Sequence, residues 1–411
     1  MATVAFLAIA SRSLDPADYS ALGVLWTLLF AVGNGIMQPL EQEVARAVSD
    51  RRARGIGPAP VIRRAIVVGI CFAALAAAVV LVLGNTVLGD SFNDDRVLVA
   101  SFAGGLFAFG AGHLARGVLS SHHRFGAYSR FFSFDGVSRV ALVGALALVG
   151  VTVVGPYGLV LALTPFIGVG AALFGQRNLM EPGPEAQWSE LTRKLGWLLL
   201  GTVSIALVVQ GGTIAVDILA TPEQDAAAGV FLNGLQTARI PLFLFQAVLA
   251  SLLPKLSRLV GTGHFDEFLV TLRRLVFAIL GLGVLSTIAA TVVGPTFIEK
   301  VYGSTDVLGP RDLGLLSAAF ILIMATICLD QALIALNGHS RMAIGWFLAL
   351  LVFIAVTAVG SDLFLRVELG LLAASIVAFV WMAANLAERL RHHARPRAVD
   401  EAEALAEIPM P

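Results

Sequence analysis

Apolar runs of about twenty residues recur from one end of this chain to the other, joined by short polar stretches. A helix rises ~1.5 Å per residue, so such a run matches the ~30 Å hydrocarbon core of a bilayer. Lipid offers the backbone no hydrogen-bond partners, so a spanning segment must be a helix or a strand of a closed barrel. The residue-by-residue alternation of a barrel strand is absent, which leaves helices. Composition agrees. Of 411 residues 57% are hydrophobic and only 14% charged, against roughly a quarter charged in soluble domains. The 28 basic side chains cancel the 28 acidic ones, so the basic footprint of a nucleic-acid binder is missing. The chain reads as an all-α integral membrane protein.

About 12 transmembrane helices are predicted, over residues 2–11, 20–40, 61–84, 97–120, 136–153, 157–175, 195–219, 228–252, 271–293, 313–336, 341–359 and 367–387. The first is too short, since ten residues rise only ~15 Å. It has no basic leader or cleavage site of a signal peptide, so the expectation is a start upstream of Met1, with a short tilted helix as the alternative. Basic residues gather in the loops after even-numbered spans and in the tail: Arg46, Arg51, Arg52 and Arg54, then Arg124 and Arg130, Arg193 and Lys194, and Lys255 and Arg258. The opposite loops carry Asp90, Asp94, Asp95, Glu223, Asp225 and Asp306. The positive-inside rule then puts both termini in the cytoplasm. Cys71 and Cys328 fall within spans and read as core fillers.

The halves echo each other. Pro16, six residues and Gly23-Val24 precede span 2; Pro222, six residues and Gly229-Val230 precede span 8. His122-His123-Arg124 corresponds to His339-Ser340-Arg341, and Gly158-Leu159 to Gly370-Leu371. An even number of spans per repeat makes the repeats parallel, with their axis along the membrane normal. The reading is two six-helix lobes, 1–176 and 195–388, a cytoplasmic linker at 177–194 and a cytoplasmic tail at 389–411. The tail is expected to be disordered or weakly amphipathic beyond Ala398.

Several segments resemble the polysaccharide (Wzx-type) flippases of the multidrug/oligosaccharidyl-lipid/polysaccharide exporter superfamily. They are Arg12-Ser13-Leu14-Asp15-Pro16-Ala17-Asp18-Tyr19, Arg116-Gly117-Val118-Leu119 with His123-Arg124-Phe125-Gly126-Ala127-Tyr128, Gly229-Val230-Phe231 through Arg239-Ile240-Pro241 to Leu253-Pro254-Lys255-Leu256-Ser257, and Val301-Tyr302-Gly303. The resemblance implies a flippase of a bacterial cytoplasmic membrane that moves a lipid-linked oligosaccharide or polysaccharide precursor by alternating access. Its partners would be that glycan on a phosphate or pyrophosphate carrier lipid, membrane lipids and a coupling ion. No cofactor and no nucleic acid is implied.

Such a cargo needs cationic and amide groups facing a cavity, and ionisable residues deep in a span mark pathways of this kind. Arg239 sits near mid-bilayer in span 8, with Gln236 and Gln246 in the same helical arc and Pro241 beside it. A forked guanidinium suits phosphate, and the competing reading is an Arg bonded to Gln210 of span 7. Asn34, Gln38 and Glu41 line one face of span 2. The amides suit a glycan, while Glu41 is either an ion site or a helix end reaching water. His113 and Arg116 share a face of span 4, near Asp135 and Arg139 of span 5, with pairing of Asp135 to either arginine open. Asp330 and Asp217 are the acids of the second lobe that could couple to an ion or pair locally. Trp188, Trp197 and Trp346 read as an interfacial belt.

Other classes fit less well. Ser49-Asp50-Arg51-Arg52-Ala53-Arg54-Gly55 is similar to the Asp-Arg loop of major-facilitator permeases, but has Arg46 where that motif wants a glycine four before the acid and Ala53 where it wants one between the basic residues. A drug exporter of the same superfamily, which binds organic cations, should expose acids. A glycan polymerase or ligase needs a long outer loop or convergent acids and His, so the chain does not read as an enzyme. The seven His show no metal spacing.

Overall fold

The computed structural model describes residues 2–83, 88–192, 195–242, 245, 252, 255–256, 258–260, 262–304, 306–336 and 338–406. Gln246, Arg193, Lys194, Pro254 and Ser257 lie outside the described residues. Among the described residues the fold is all helical, and ten helices are long and apolar enough to cross a membrane. The first lobe comprises α1 (Ala2–Ser13), α2 (Pro16–Ala53), α3 (Ala59–Leu83), α4 (Arg96–Ser121), α5 (Phe125–Leu148) and α6 (Val154–Leu173). The second comprises α7 (Leu195–Leu219), α8 (Ala227–Ala238), α9 (Phe265–Tyr302), α10 (Pro310–Ala335), α11 (His339–Thr357) and α12 (Leu363–Ala406). Short helical turns occur at Leu88–Ser91, Ser189–Thr192 and Pro222–Gln224.

Local chemistry sets the ends. Asp15 caps α2 by accepting from the Asp18 N–H at 2.8 Å, and Pro16 stands where a missing N–H costs nothing. Asp95 caps α4 through the Val97 N–H at 2.6 Å. Gly303 closes α9 at φ 71°, a left-handed position suited to glycine. One expectation changes. α2 and α9 each run 38 residues, well past the spans predicted for them, so their ends leave the apolar layer. The tail, for which the sequence left disorder or a short amphipathic piece past Ala398, continues α12 as helix to Ala406.

Arg51, Arg52, Arg54, Arg124 and Arg341, at the turns between α2 and α3, α4 and α5, and α10 and α11, define a basic end of the bundle; the loops after α1, α3, α7 and α9 define an acidic end. Between the lobes, α2 packs on α7 and α8, and α1 packs on α9. The repeat becomes physical here. Gly23 of α2 and Gly229 of α8 hold equivalent repeat positions, and the two helices cross at them: a Cβ on Gly229 would stand 3.3 Å from the Ser20 Cα. Small residues at a helix crossing let backbones approach. The Gly229 N–H donates to Ser20 Oγ at 3.2 Å, and the Tyr19 hydroxyl to Asn233 Oδ1 at 2.5 Å. Ser11 Oγ donates to the Tyr302 carbonyl at 2.6 Å, and Arg12 Nε to that of Val301 at 3.2 Å. All of these seal the acidic end. Deeper, Thr202 Oγ1 donates to the Gly35 carbonyl at 2.8 Å, which ties α7 to α2.

The Asp-Arg loop after α2 has a structural task. Arg51 is buried and donates to both Glu190 oxygens at 2.7 and 3.0 Å and to the carbonyls of Gly57, Pro184 and Glu185 at 3.2, 2.9 and 3.2 Å. Arg46 donates to the Glu190 carbonyl, and Arg64 to Glu185 Oε1 at 3.0 Å. Gly57 permits the contact, because a Cβ there would lie 1.9 Å from the Pro182 carbonyl oxygen. The linker is therefore fastened to the first lobe.

Arg51→Ala strips charge-assisted bonds from one oxygen cluster and is expected to cost roughly 1.5–3 kcal/mol. It should lower the thermal midpoint in detergent and open residues 177–190 to protease, and Arg51→Lys should rescue little because an ammonium lacks the fork.

Candidate functional site

The sequence candidates of the first lobe converge. From α4, Arg116 donates through Nε and Nη2 to Glu41 Oε2 of α2 at 3.1 and 2.7 Å. His113, one turn earlier, places Nδ1 2.8 Å from the same oxygen and Nε2 3.1 Å from Asn34 Oδ1. The Tyr128 hydroxyl of α5 reaches Glu41 Oε1 at 3.4 Å. The spacing explains the meeting: Asn34 and Glu41 stand two turns apart on one face of α2, and His113 and Arg116 one turn apart on α4. Gly117 brings the helices together, since a Cβ there would lie 2.7 Å from the Glu41 carbonyl oxygen. The Arg116 guanidinium also lies over the Phe131 and Phe132 rings, 5.2 and 5.1 Å from their centroids.

A second pair continues the polar face. Asp135 accepts both its bonds, 2.7 and 2.8 Å, from Arg139 Nη2 on the same helix. Arg139 also donates to Thr164 Oγ1 at 3.2 Å and lies over Trp26. The open question of which arginine Asp135 takes is thus resolved for Arg139. Together these side chains border a cavity of about 560 Å³. Its polar wall is Asn34, His113, Arg116, Asp135 and Arg139; its apolar wall includes Phe30, Phe109, Phe131 and Phe132; Ala2 and Thr3 of α1 close one side.

Glu41 needs a correction. The view of it as a helix end reaching water fails, because it is held inside the lobe by Arg116 and His113. Gln38 lies on an exposed stripe of α2 with Gln42 and Arg46. Arg46 pairs with Glu43 at 2.7 Å.

The second lobe departs further from expectation. Arg239 is 3% exposed and turned against α7, donating to Gln210 Oε1 at 2.5 Å and to the Val209 carbonyl. Its guanidinium covers the Phe320 ring at 4.9 Å. The bond to Gln210 is the competing reading, but it ties α8 to α7 within the second lobe instead of gluing the two lobes together, and in this conformation no anion can reach the guanidinium. Gln236 is buried too, so it offers no open amide. The helix ends at this point: Ala238 is the last residue of α8 and Arg239 its cap, so the turn stands just before Pro241. Asp330 is buried and accepts from Trp346 Nε1 at 2.7 Å. Trp346 is wholly buried and so is no interfacial belt residue, unlike the half-exposed Trp188 and Trp197. Asp217 accepts from Ser91 Oγ at 2.6 Å and borders an acidic-end cavity of about 670 Å³ with Asp90, Asp94 and Asp225.

Sequence reasoning missed Tyr19 and Asn233 as a pair across the lobes. The signal was present in the repeated Pro–Gly spacing, which marks α2 and α8 as equivalent helices that can meet at a two-fold axis.

With this geometry in view, the likenesses to known proteins are informative. No family model matches the chain. It is 27% identical over 395 residues to the uncharacterized protein Rv3630 of Mycobacterium tuberculosis (strain ATCC 25618 / H37Rv), covering 92% of this chain and 84% of that one. It is 26% identical over 398 residues to Rv1510 of the same strain, covering 93% and 87%. Among solved structures, the inward-facing conformation of a multidrug resistance MATE family transporter of the MOP superfamily superposes with a TM-score of 0.74 at 13% identity, over 95% of this chain and 96% of that one. The outward-facing conformation of a transporter of that family gives 0.65 at 12% identity, over 95% and 92%. The chain therefore has the fold of MATE family transporters, an all-helical membrane fold with about 12 spans in two lobes.

Removing Glu41 leaves Arg116 without its carboxylate in a site only partly open to water. Glu41→Ala is expected to cost roughly 2–3 kcal/mol, between the values for exposed and buried pairs. A Glu41→Ala/Arg116→Leu double variant should lose clearly less than the sum of the single losses, read as thermal unfolding in detergent.

Proposed function

We propose that the chain is an alternating-access transporter of a bacterial cytoplasmic membrane, with its basic end and both termini in the cytoplasm, and that its cargo is an amphiphile with an anionic head. The positive-inside pattern supports the orientation. The hydrogen bonds that join the lobes at the acidic end, together with the exposed Gln38, Gln42 and Arg46 stripe, support a state closed outside and open inside.

One observation carries the choice of cargo. The two acids of the first-lobe site, Glu41 and Asp135, are each already engaged by an arginine, so neither is free for an organic cation. The two arginines balance Glu41 and Asp135 in charge, but both guanidiniums border the cavity with Asn34, His113 and Asp135 while Glu41 lies outside its lining. An anionic phosphate can share the arginines; a sugar can use the Asn34 amide. With the resemblance to Wzx-type flippases, this supports a lipid-linked oligosaccharide or polysaccharide precursor as cargo. Arg239 and Gln236 take an anchoring part in this proposal rather than a binding one.

A drug exporter is the second reading, and specific observations favour it. The solved transporters that share the fold are multidrug resistance proteins, and the cavity's four phenylalanines suit a flat aromatic cargo.

Two assays separate them. In vesicles carrying a pyrophosphate-linked glycan lipid, translocation read by lectin access should fall about 10–100-fold in Arg116→Ala and Arg139→Gln, the loss of one charge-assisted contact. Efflux of ethidium by the unmodified protein, with no glycan-lipid movement, would select the exporter instead.

A further inference from the structure

A third carboxylate stands apart from every other in the bundle. Glu368, early in α12, has no solvent exposure at all, and among the described residues neither of its oxygens has a hydrogen-bond partner. Elsewhere in the apolar layer the acids are held: Glu41 by Arg116, Asp135 by Arg139, Asp330 by Trp346 and Asp217 by Ser91. Charge burial without a partner costs several kcal/mol or more, and a carboxyl group avoids that cost by keeping its proton.

The surroundings are neutral and well packed. On the same face of α12, Phe364 stacks on Phe231 of α8 at 5.8 Å, and Leu371 lies 3.3 Å from where a Cβ on Gly212 of α7 would stand. Glu368 stands between these two residues in the i, i+4, i+7 register, on the buried side of α12 and within electrostatic reach of Asp312 and Arg311 of α10. Unpartnered buried hydroxyls occur on neighbouring helices, Thr213 of α7 and Thr357 of α11, and Thr357 Oγ1 closes on the backbone of α12 at Gly370. The charged groups on the packed elements are few. α10 brings Arg311 and Asp312, which pair with each other at 2.7 Å; α7 brings Asp217; Asp362 and Arg366 belong to α12 and its entry; α8 and the adjoining half of α11 bring none. None supplies Glu368 with a salt bridge or hydrogen bond.

We propose that Glu368 is a proton-binding site of the second lobe. It holds a proton in the state closed at the acidic end. It loses that proton to water, leaving the carboxylate, when the lobe repacks and the acidic end opens. Phe364, one turn before Glu368, stacks on α8, the helix that makes the outer contact with α2, so protonation and closure act on connected packing. The inference uses the transporter reading only for the role of the proton; the proton itself can be observed whatever the cargo is.

Infrared spectroscopy of the purified full-length protein in lipid, titrated from acid to alkaline pH, separates protonated carboxyl from carboxylate. The expected result is a protonated-carboxyl band that shifts on 13C-glutamate labelling of the unmodified protein. It should vanish in Glu368→Gln, persist in Asp330→Asn, give way in Glu368→Asp to a protonated-carboxyl band that glutamate labelling no longer shifts, and disappear at high pH. The labelling arm needs no variant, so a misfolded Glu368→Gln leaves the test intact. Absence of a glutamate band at every pH, or its survival in folded Glu368→Gln, would overturn the proposal. So would its loss on adding sodium at constant pH, which would make the site a metal site.

Discussion

A charge inside this bundle has no water to turn to, and that constraint shapes the rest of the structure. Lipid forces the backbone into helices and forces ionised side chains to find partners among themselves. Hence Glu41 lies between Arg116 and His113, Asp135 against Arg139, and Arg239 against Gln210 and a carbonyl of α7. The same requirement makes Glu368 conspicuous, because it is buried and, among the described residues, unpaired. Pairing also limits chemistry: a carboxylate already satisfied by a guanidinium is a poor site for a cationic drug, while a guanidinium that touches one carboxylate keeps donors for a phosphate.

The interface between the lobes follows from the internal repeat. Equivalent glycines, Gly23 and Gly229, let two equivalent helices cross closely, and the polar residues around them, Ser20, Tyr19 and Asn233, latch the crossing. A few hydrogen bonds, each worth about 1 kcal/mol net, are weak enough to break in the proposed transport cycle. The large buried clamp around Arg51 is different. It fixes the linker to the first lobe, so motion between the lobes must be taken up beyond it.

Most of the fold was legible in the sequence, since span length, basic loops and a half-chain repeat are one-dimensional signals. The ends were less so. The extra turns of α2 and α9 project from the apolar layer, where hydropathy falls silent while helix propensity continues. The site was half legible. Asn34, Glu41, His113 and Arg116 could be placed on faces by their spacing, and those faces do meet. Arg239 could be placed in depth but not in azimuth, and azimuth decided its role: it points to α7 and away from any cavity. Glu368 was passed over because it lies near the predicted start of span 12, where an acid reads as a rim residue; only packing reveals that it is sealed.

On the proposed transporter reading, the two lobes rock about a contact that opens at one end as it closes at the other. Spin-label distances test it directly in the lipid-embedded protein. One pair belongs on Ala17 and Asp225, which border the cavity at the acidic end; the other on Arg124 and Arg391, exposed at the basic end of each lobe. Two populations are expected, in which a longer acidic-end distance accompanies a shorter basic-end one. A single distance at both ends under all conditions, or both pairs lengthening together, would contradict it.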